Sequence, residues 1–301
     1  MGTKKGLSLV LAAVLSIGTL TACGSGNDSK GSAGASGSPA ASVQPSQAAK
    51  SPEISGTVTS SGSTALLPLV KQAAEDFMDK NPKVTVNATG GGSGQGIKNV
   101  LDGTSQIGNS DVEASAEDKS KLVDHVVAIA PFALIVSKDV TVDNLTKQQA
   151  ADIYTGKITN WKDVGGKDQK ISLVHRQDSS GSRKLVQQIV LEGKDFSKEG
   201  VVQDASKTVA EAVAGGSGAI GYVDTPYITD KVKALKIDGV AYSKETIKGG
   251  QYKLYGMEHM YTKGQPEGAT KAFLEYIMSK EFQDTQVEKL GFLPANLLSG
   301  K

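Results

Sequence analysis

Val126-Val127-Ala128-Ile129-Ala130-Pro131-Phe132-Ala133-Leu134-Ile135-Val136-Ser137 is a long apolar run with a proline inside it. Such a run suits a buried strand or a crossover between two parts of a chain. On its N-terminal side, strand-like and helix-like segments alternate. Ile54–Thr59 reads as a strand. Leu66–Lys80 carries a helical stripe through Leu66, Val70, Ala73, Ala74, Phe77 and Met78 that stops near Asn81-Pro82. Val84–Val86 reads as a strand, Ile97–Leu101 as a short helix and Gln106–Gly108 as a strand. On the C-terminal side the alternation continues. Helices are expected at Thr146–Tyr154, Arg183–Leu191 and Val209–Ala214, and strands at Ile171–His175 and Ala219–Val223, with one long helical region over Pro266–Lys289. This order predicts an α/β fold with helices packed on mostly parallel sheets. Val126–Ser137 and Tyr252–Tyr261 are candidates for two crossings between lobes. One lobe would then combine residues 55–137 with 252–301, and the other would be 138–251.

The N-terminus differs from the rest. Lys4 and Lys5 precede an uncharged, mostly apolar run from Leu7 to Leu20, too short to span a bilayer comfortably. It ends in Leu20-Thr21-Ala22-Cys23, which resembles a bacterial lipobox. Residues 1–22 are therefore expected to be a lipoprotein signal peptide, with Cys23 acylated after cleavage. Residues 23–54, rich in Gly, Ser, Ala, Pro and Gln, read as a flexible tether from that lipid.

Bulk composition narrows the function. Hydrophobic residues make up 38% and charged residues 22% of the 301, enough for a core. Lys plus Arg number 33 against 32 Asp plus Glu, a balance that argues against a nucleic-acid partner. Cys23 is the sole cysteine, and His125, His175 and His259 are scattered, so neither a disulfide framework nor a cysteine- or histidine-based metal site is expected.

Four loops look built for an anion. Ser61-Gly62-Ser63-Thr64-Ala65-Leu66 lies between a strand and a helix, where Ser63 or Thr64 is placed to cap the helix start. Gly90–Gly96 has five glycines and Ser93 in seven residues before a helix. It lacks the Walker lysine, and its glycines suit a backbone anion nest. Gly108-Asn109-Ser110-Asp111 ends a strand. Ser110 can donate, while an ionised Asp111 can only accept. That suits an anion which brings its own proton, as phosphate does near neutral pH and sulfate does not. In Arg176-Gln177-Asp178-Ser179-Ser180-Gly181-Ser182, Arg176 supplies a fork of donors that Asp178 could hold in place. Ser180, Gly181 and Ser182 would offer hydroxyls and N–H groups.

Taken in order, Gly62-Ser63-Thr64, Gly92-Ser93-Gly94, Ser110-Asp111, Arg176-x-Asp178-x-Ser180-Gly181-Ser182 and Gly218-Ala219-Ile220-Gly221-Tyr222 resemble the phosphate-binding lipoproteins of the bacterial high-affinity phosphate ABC transporter. The resemblance covers residues 55–301. It implies a type II periplasmic-binding-protein-like fold, with two lobes and two crossing strands as hinge. Phosphate would be held between the lobes by hydrogen bonds alone. Ser63, Thr64 and Ala65 would bind through hydroxyl and backbone, and Ser93 through its hydroxyl. Asp111 would accept the ligand's proton, Arg176 would be the one direct cation, and Ser180, Gly181 and Ser182 would close the far side. The family usually has Thr where Ser182 stands. Some members have an aromatic residue in the first loop, where this chain has Ala65-Leu66-Leu67. The implied partners are the ABC permease subunits with their ATPase, and the outer face of the cell membrane through the Cys23 lipid. A monomer without cofactor or metal is expected.

Three rivals remain on sequence grounds. A phosphatase would need an activated nucleophile or metal ions, and no G-x-S-x-G elbow or carboxylate cluster is visible. Gly216-Ser217-Gly218-Ala219-Ile220-Gly221 matches a dinucleotide fingerprint, but a helix precedes it and a strand follows, the reverse of what that site needs. The third rival is a binding protein for sulfate, molybdate or a phosphonate.

Overall fold

Pro131 sits where one long strand changes partners. The computed structural model describes residues 53–299; the expected signal peptide, Cys23 and the tether up to residue 52 lie outside the described residues. The strands are β1 (Gly56–Gly62), β2 (Val84–Thr89), β3 (Ile107–Ser110), β4 (Val123–Ser137), β5 (Asn144–Leu145), β6 (Ser172–Arg176), β7 (Val201–Gln203), β8 (Ala219–Asp224), β9 (Val232–Ala234), β10 (Lys236–Ile237), β11 (Tyr255–Thr262) and β12 (Leu293–Pro294). The helices are α1 (Leu67–Lys80), α2 (Ser93–Asp102), α3 (Ala116–Lys119), α4 (Lys147–Tyr154), α5 (Gly181–Ile189), α6 (Ser206–Gly215), α7 (Lys244–Lys248), α8 (Gly268–Ile277) and α9 (Lys280–Phe282). Among the described residues no helix is long and apolar enough to cross a membrane.

The main sheet runs β2-β1-β3-β11-β4-β8-β6-β7, with β9 and β12 also paired to β4. Strand β4 belongs to both halves. Its residues 123–131 pair with β11, and Phe132–Val136 pair with β8. Proline has no N–H to give to a ladder and is tolerated where pairing is interrupted. The segment before β11 flanks this point: Phe132 donates its N–H to the Leu254 carbonyl at 3.0 Å, and the Tyr252 hydroxyl donates to the Phe132 carbonyl at 2.9 Å. The expectation of a mostly parallel sheet holds only on the flanks. There β1 pairs parallel with β2 and β3, and β6 with β7 and β8. The centre, built on β4 and β11, is antiparallel, because both strands return across the sheet rather than feeding a βαβ crossover.

Apolar clusters hold these elements, three of them as follows. α1 and α8 cover β1 and β2 through Val58, Leu69, Val70, Phe77 and Phe273, and the Phe77 and Phe273 rings meet edge-on at 5.5 Å. Phe132 and Leu134 of β4 pack with Tyr154, Trp161, Leu185 and Val186. α6 lays Val209 and Val213 over Ile135, Val174 and Val223. Each fully buried side chain of this size contributes about 1.5–3 kcal/mol.

The long helix expected over Pro266–Lys289 is broken. It ends at Ile277. Ser279 then takes an extended conformation and its hydroxyl accepts the Phe282 N–H at 3.2 Å, starting a new turn that runs into a π-helical turn at Gln283–Val287. Among the helices that start earlier than their apolar periodicity suggests are α2 at Ser93 and α5 at Gly181. The first turn of each is made of the Gly and Ser of the preceding loop.

Candidate functional site

Strands β1, β2, β3, β6 and β8 end at Gly62, Thr89, Ser110, Arg176 and Asp224, and the candidate residues lie at these carboxyl ends or in the turns that follow. In open α/β sheets this is the edge where ligands are met. The sheet thus brings side chains from residues 63 to 224 together.

The first loop and the β3 end are joined directly. The Ser63 hydroxyl donates to Asp111 Oδ1 and accepts the Leu66 N–H at 3.0 Å. Ser63 is thus not the N-cap of α1, a position taken by Leu66 without a side-chain cap. Ser93 Oγ accepts the Asp111 N–H at 3.0 Å. From the other half of the sheet, the Ser182 hydroxyl lies 3.2 Å from Asp111 Oδ2. The glycine loop docks on the arginine loop through Gly94 N–H to the Ser179 carbonyl at 2.9 Å. Position 181 has room only for glycine. A Cβ there would stand 2.6 Å from Asp111 Oδ2 and 2.8 Å from Asp111 Cβ.

Arg176 is 2% exposed. Its Nη2 donates to the Thr64 hydroxyl at 3.0 Å and to the Asp204 carbonyl at 3.1 Å, and its Nη1 donates to the Ser206 hydroxyl at 3.0 Å. Its Nε is buried without a partner. The Thr64 carbonyl accepts the Tyr227 hydroxyl at 2.5 Å. Ala65 is buried beside these groups.

Two expected roles are corrected. Asp178 does not hold the Arg176 fork. Its side chain is 99% exposed and pairs with Arg183 Nε at 3.2 Å, because the turn points it outward while Arg176 points in. The Ser110 hydroxyl is spent locally, donating to the Val112 carbonyl at 2.6 Å and accepting the Val112 N–H at 3.2 Å. Ser180 has a divided role. It is the N-cap of α5, its oxygen accepting the Arg183 N–H at 3.2 Å.

Two acids escape sequence reasoning. Asp224, the last residue of the strand that follows Gly218, lies 3.2 Å from the Ser182 hydroxyl. Burial first, and then the charge of Asp111, pushes its carboxyl up to about 7. Glu258 of β11 is fully buried with neither oxygen hydrogen-bonded. Burial, then Asp111 and Asp224, holds its carboxyl well above the usual range. Ser206 and Tyr227 were missed as well. The only signal for Glu258 was a carboxylate inside an apolar strand. No group of three or more His, Cys, Asp or Glu among the described residues is arranged to hold a metal ion.

The arrangement offers one buried cation, several hydroxyls and a carboxylate that accepts. It can receive a small oxyanion which also donates a proton. His175, the histidine just before Arg176, has its Nε2 2.9 Å from the Glu199 carbonyl.

Comparison with known proteins agrees with this geometry. A family model for the PBP superfamily domain matches residues 47–281. The chain is 42% identical to the phosphate-binding protein PstS of Bacillus subtilis (strain 168), over 96% of this chain and 93% of that one. It is 28% identical to the PstS of Borreliella burgdorferi, over 78% and 89% of the two chains. Among solved structures, a phosphate ABC transporter substrate-binding protein with bound phosphate from Clostridium perfringens superposes with a TM-score of 0.76 at 36% identity, covering 79% of this chain and 99% of that one. An ABC-type phosphate transport receptor from Vibrio cholerae gives a TM-score of 0.66 at 26% identity, covering 78% and 99%.

Proposed function

Because the chain belongs to the PBP superfamily and, within it, to the family of PstS phosphate-binding proteins, we propose that it captures inorganic phosphate outside the cytoplasm and delivers it to a membrane ABC importer, without catalysis of its own. The observation that carries this reading is the pairing of charges in one buried, hydroxyl-lined cluster. Arg176 and Asp111 are each 2% exposed, and Asp224 feels the charge of both. Arg176 would neutralise the anion, and Ser63, Thr64, Ser93, Ser180 and Ser182 with the N–H groups of Ala65, Gly181 and Ser182 would surround it. Asp111 would accept the proton that phosphate keeps, and a fully ionised sulfate would meet it as a second negative charge.

Closure of two lobes, 55–137 with 252–301 against 138–251, would complete the cage, with the partner switch of β4 at Pro131 and the 252–254 segment as hinge. Burial in that cage excludes water and strengthens each hydrogen bond. Acylation of Cys23 would keep the protein, as a monomer, at the outer face of the cell membrane near the permease.

Titration calorimetry of the purified full chain with phosphate, sulfate and molybdate tests the reading. Heat of saturable binding with phosphate, and little with sulfate, is the expected result. Preference for sulfate or molybdate would overturn it. A phosphatase assay with and without divalent metal should show no turnover.

A further inference from the structure

The cluster holds more acid than one anion site requires. Ser182 Oγ lies 3.2 Å from Asp111 Oδ2 and 3.2 Å from Asp224 Oδ2. A hydroxyl has one proton to give. If it donates to one carboxylate, its contact with the other is favourable only when that other carboxyl carries a proton and donates to the hydroxyl oxygen. Asp111 also takes the Ser63 hydroxyl on Oδ1, so it is the acceptor of the pair. Asp224 is the donor: it is 0% exposed, and its Oδ1 is buried without a partner. Glu258 follows the same logic, since a fully buried carboxyl with no protein donor on either oxygen is costly to ionise.

We infer that Asp224 and Glu258 are protonated positioning residues of the anion site, Asp224 donating to Ser182 and Ser182 to Asp111, so that the ligand meets one negative carboxylate instead of three. Loss of the Asp224 proton then weakens anion binding on the alkaline side. The inference rests on the phosphate reading above. The direction of both carboxyl shifts agrees with it.

The surroundings leave Asp224 as the group that titrates. Arg176 at the end of β6 is the cation that opposes its protonation. Tyr227, in the turn after β8, has its hydroxyl raised by burial and stays neutral. On α5, Arg183 turns away to Asp178 and lies over the Phe196 ring. On β4, Ala128 stands opposite Glu258. The neighbouring His259 pairs with Asp124 at 2.9 Å and stacks on Tyr261. Bound phosphate adds negative charge beside Asp224 and so raises its proton affinity further. Above about pH 7, binding must therefore take up a proton, and the apparent Kd rises with pH.

The test compares phosphate Kd values of the full chain and its Asp224→Asn variant at about pH 6.5 and pH 8.5. Phosphate's own ionisation acts on both proteins alike. The wild-type Kd is expected to rise on the order of tenfold more than that of the variant. Parallel profiles, with both proteins binding phosphate, would overturn this inference alone. Failure of the wild type to bind phosphate at either pH would instead remove the reading on which it rests. Should the variant not fold by circular dichroism, infrared spectra of the ligand-free wild type decide. A protonated-carboxyl C=O band lost between about pH 6 and pH 8.5 supports the inference, and the absence of any such titrating band overturns it.

Discussion

Arg176 Nη2 donates to the Thr64 hydroxyl at 3.0 Å, joining the end of β6 to the turn after β1 across 112 residues of sequence. The guanidinium is buried, and the donors it gives to Thr64, Ser206 and the Asp204 carbonyl fix its plane. A cation held this way does not reorganise to meet an anion. Arg176→Ala is therefore predicted to cost phosphate binding about 2–5 kcal/mol, the range for removing one partner of a buried charged pair. Ser93→Ala removes a neutral hydroxyl and should cost about 1 kcal/mol. Titration calorimetry on both variants checks the order, and an equal or smaller loss in Arg176→Ala would count against it.

Asp111 takes the Ser63 hydroxyl and, from the other half of the sheet, that of Ser182. Removing its charge while keeping its shape should spare the site's geometry and remove the repulsion of an aprotic dianion. Asp111→Asn is predicted to weaken phosphate binding and to narrow the gap between phosphate and sulfate by about tenfold or more, roughly the 1.4 kcal/mol that a lost charge-assisted hydrogen bond is worth. Competition of sulfate against bound phosphate reads the gap, and unchanged discrimination would refute the role given to the carboxylate.

Gly181 is the first residue of α5, and an added Cβ there would collide with the Asp111 carboxylate. The neighbour is a buried side chain already bonded on both oxygens, so it has nowhere to move. Gly181→Ala is predicted to abolish measurable phosphate binding and to destabilise the fold by about 1–3 kcal/mol, as overpacking does. A variant that binds like the wild type would show that the two loops do not approach as described.

What the sequence made legible follows from where information is local. Loops rich in Gly, Ser and Arg between apolar strands and helices mark strand-to-helix junctions, and the loops that carry Ser63, Ser93, Asp111, Arg176 and Ser182 are legible that way. Partner choice is not local. Asp178 looked like the clamp for Arg176 two residues away, yet the turn sends the two side chains to opposite sides, and Arg183 on the next helix takes the carboxylate. Glu258 is a lone acid in the strand-like segment Tyr252–Tyr261, and its immediate neighbours give it no role. Only the pairing of β11 between β3 and β4 puts it inside the sheet. The helix break at Ser279 was hidden because apolar spacing continues through it, while the hydroxyl cap that interrupts it is a local hydrogen bond.

The same buried acids fix how stability should change with pH. Asp224 and Glu258 both have folded-state carboxyls raised above their ordinary range, chiefly by burial. For a raised acid the native state binds more protons than the unfolded chain once pH passes about 4, so stability falls as pH climbs from there. For Asp224 the fall continues to about pH 7, where the folded-state carboxyl also ionises and the loss levels off. The ligand-free wild type is thus predicted to lose more melting temperature, or gain less, between pH 5.5 and pH 8 than its Asp224→Asn variant, which lacks one of the two raised acids. Differential scanning calorimetry over this range, without phosphate, measures both. Equal slopes in the two proteins would contradict the buried, protonated state of Asp224, because the burial-lowered imidazoles of His125 and His175 act on both alike.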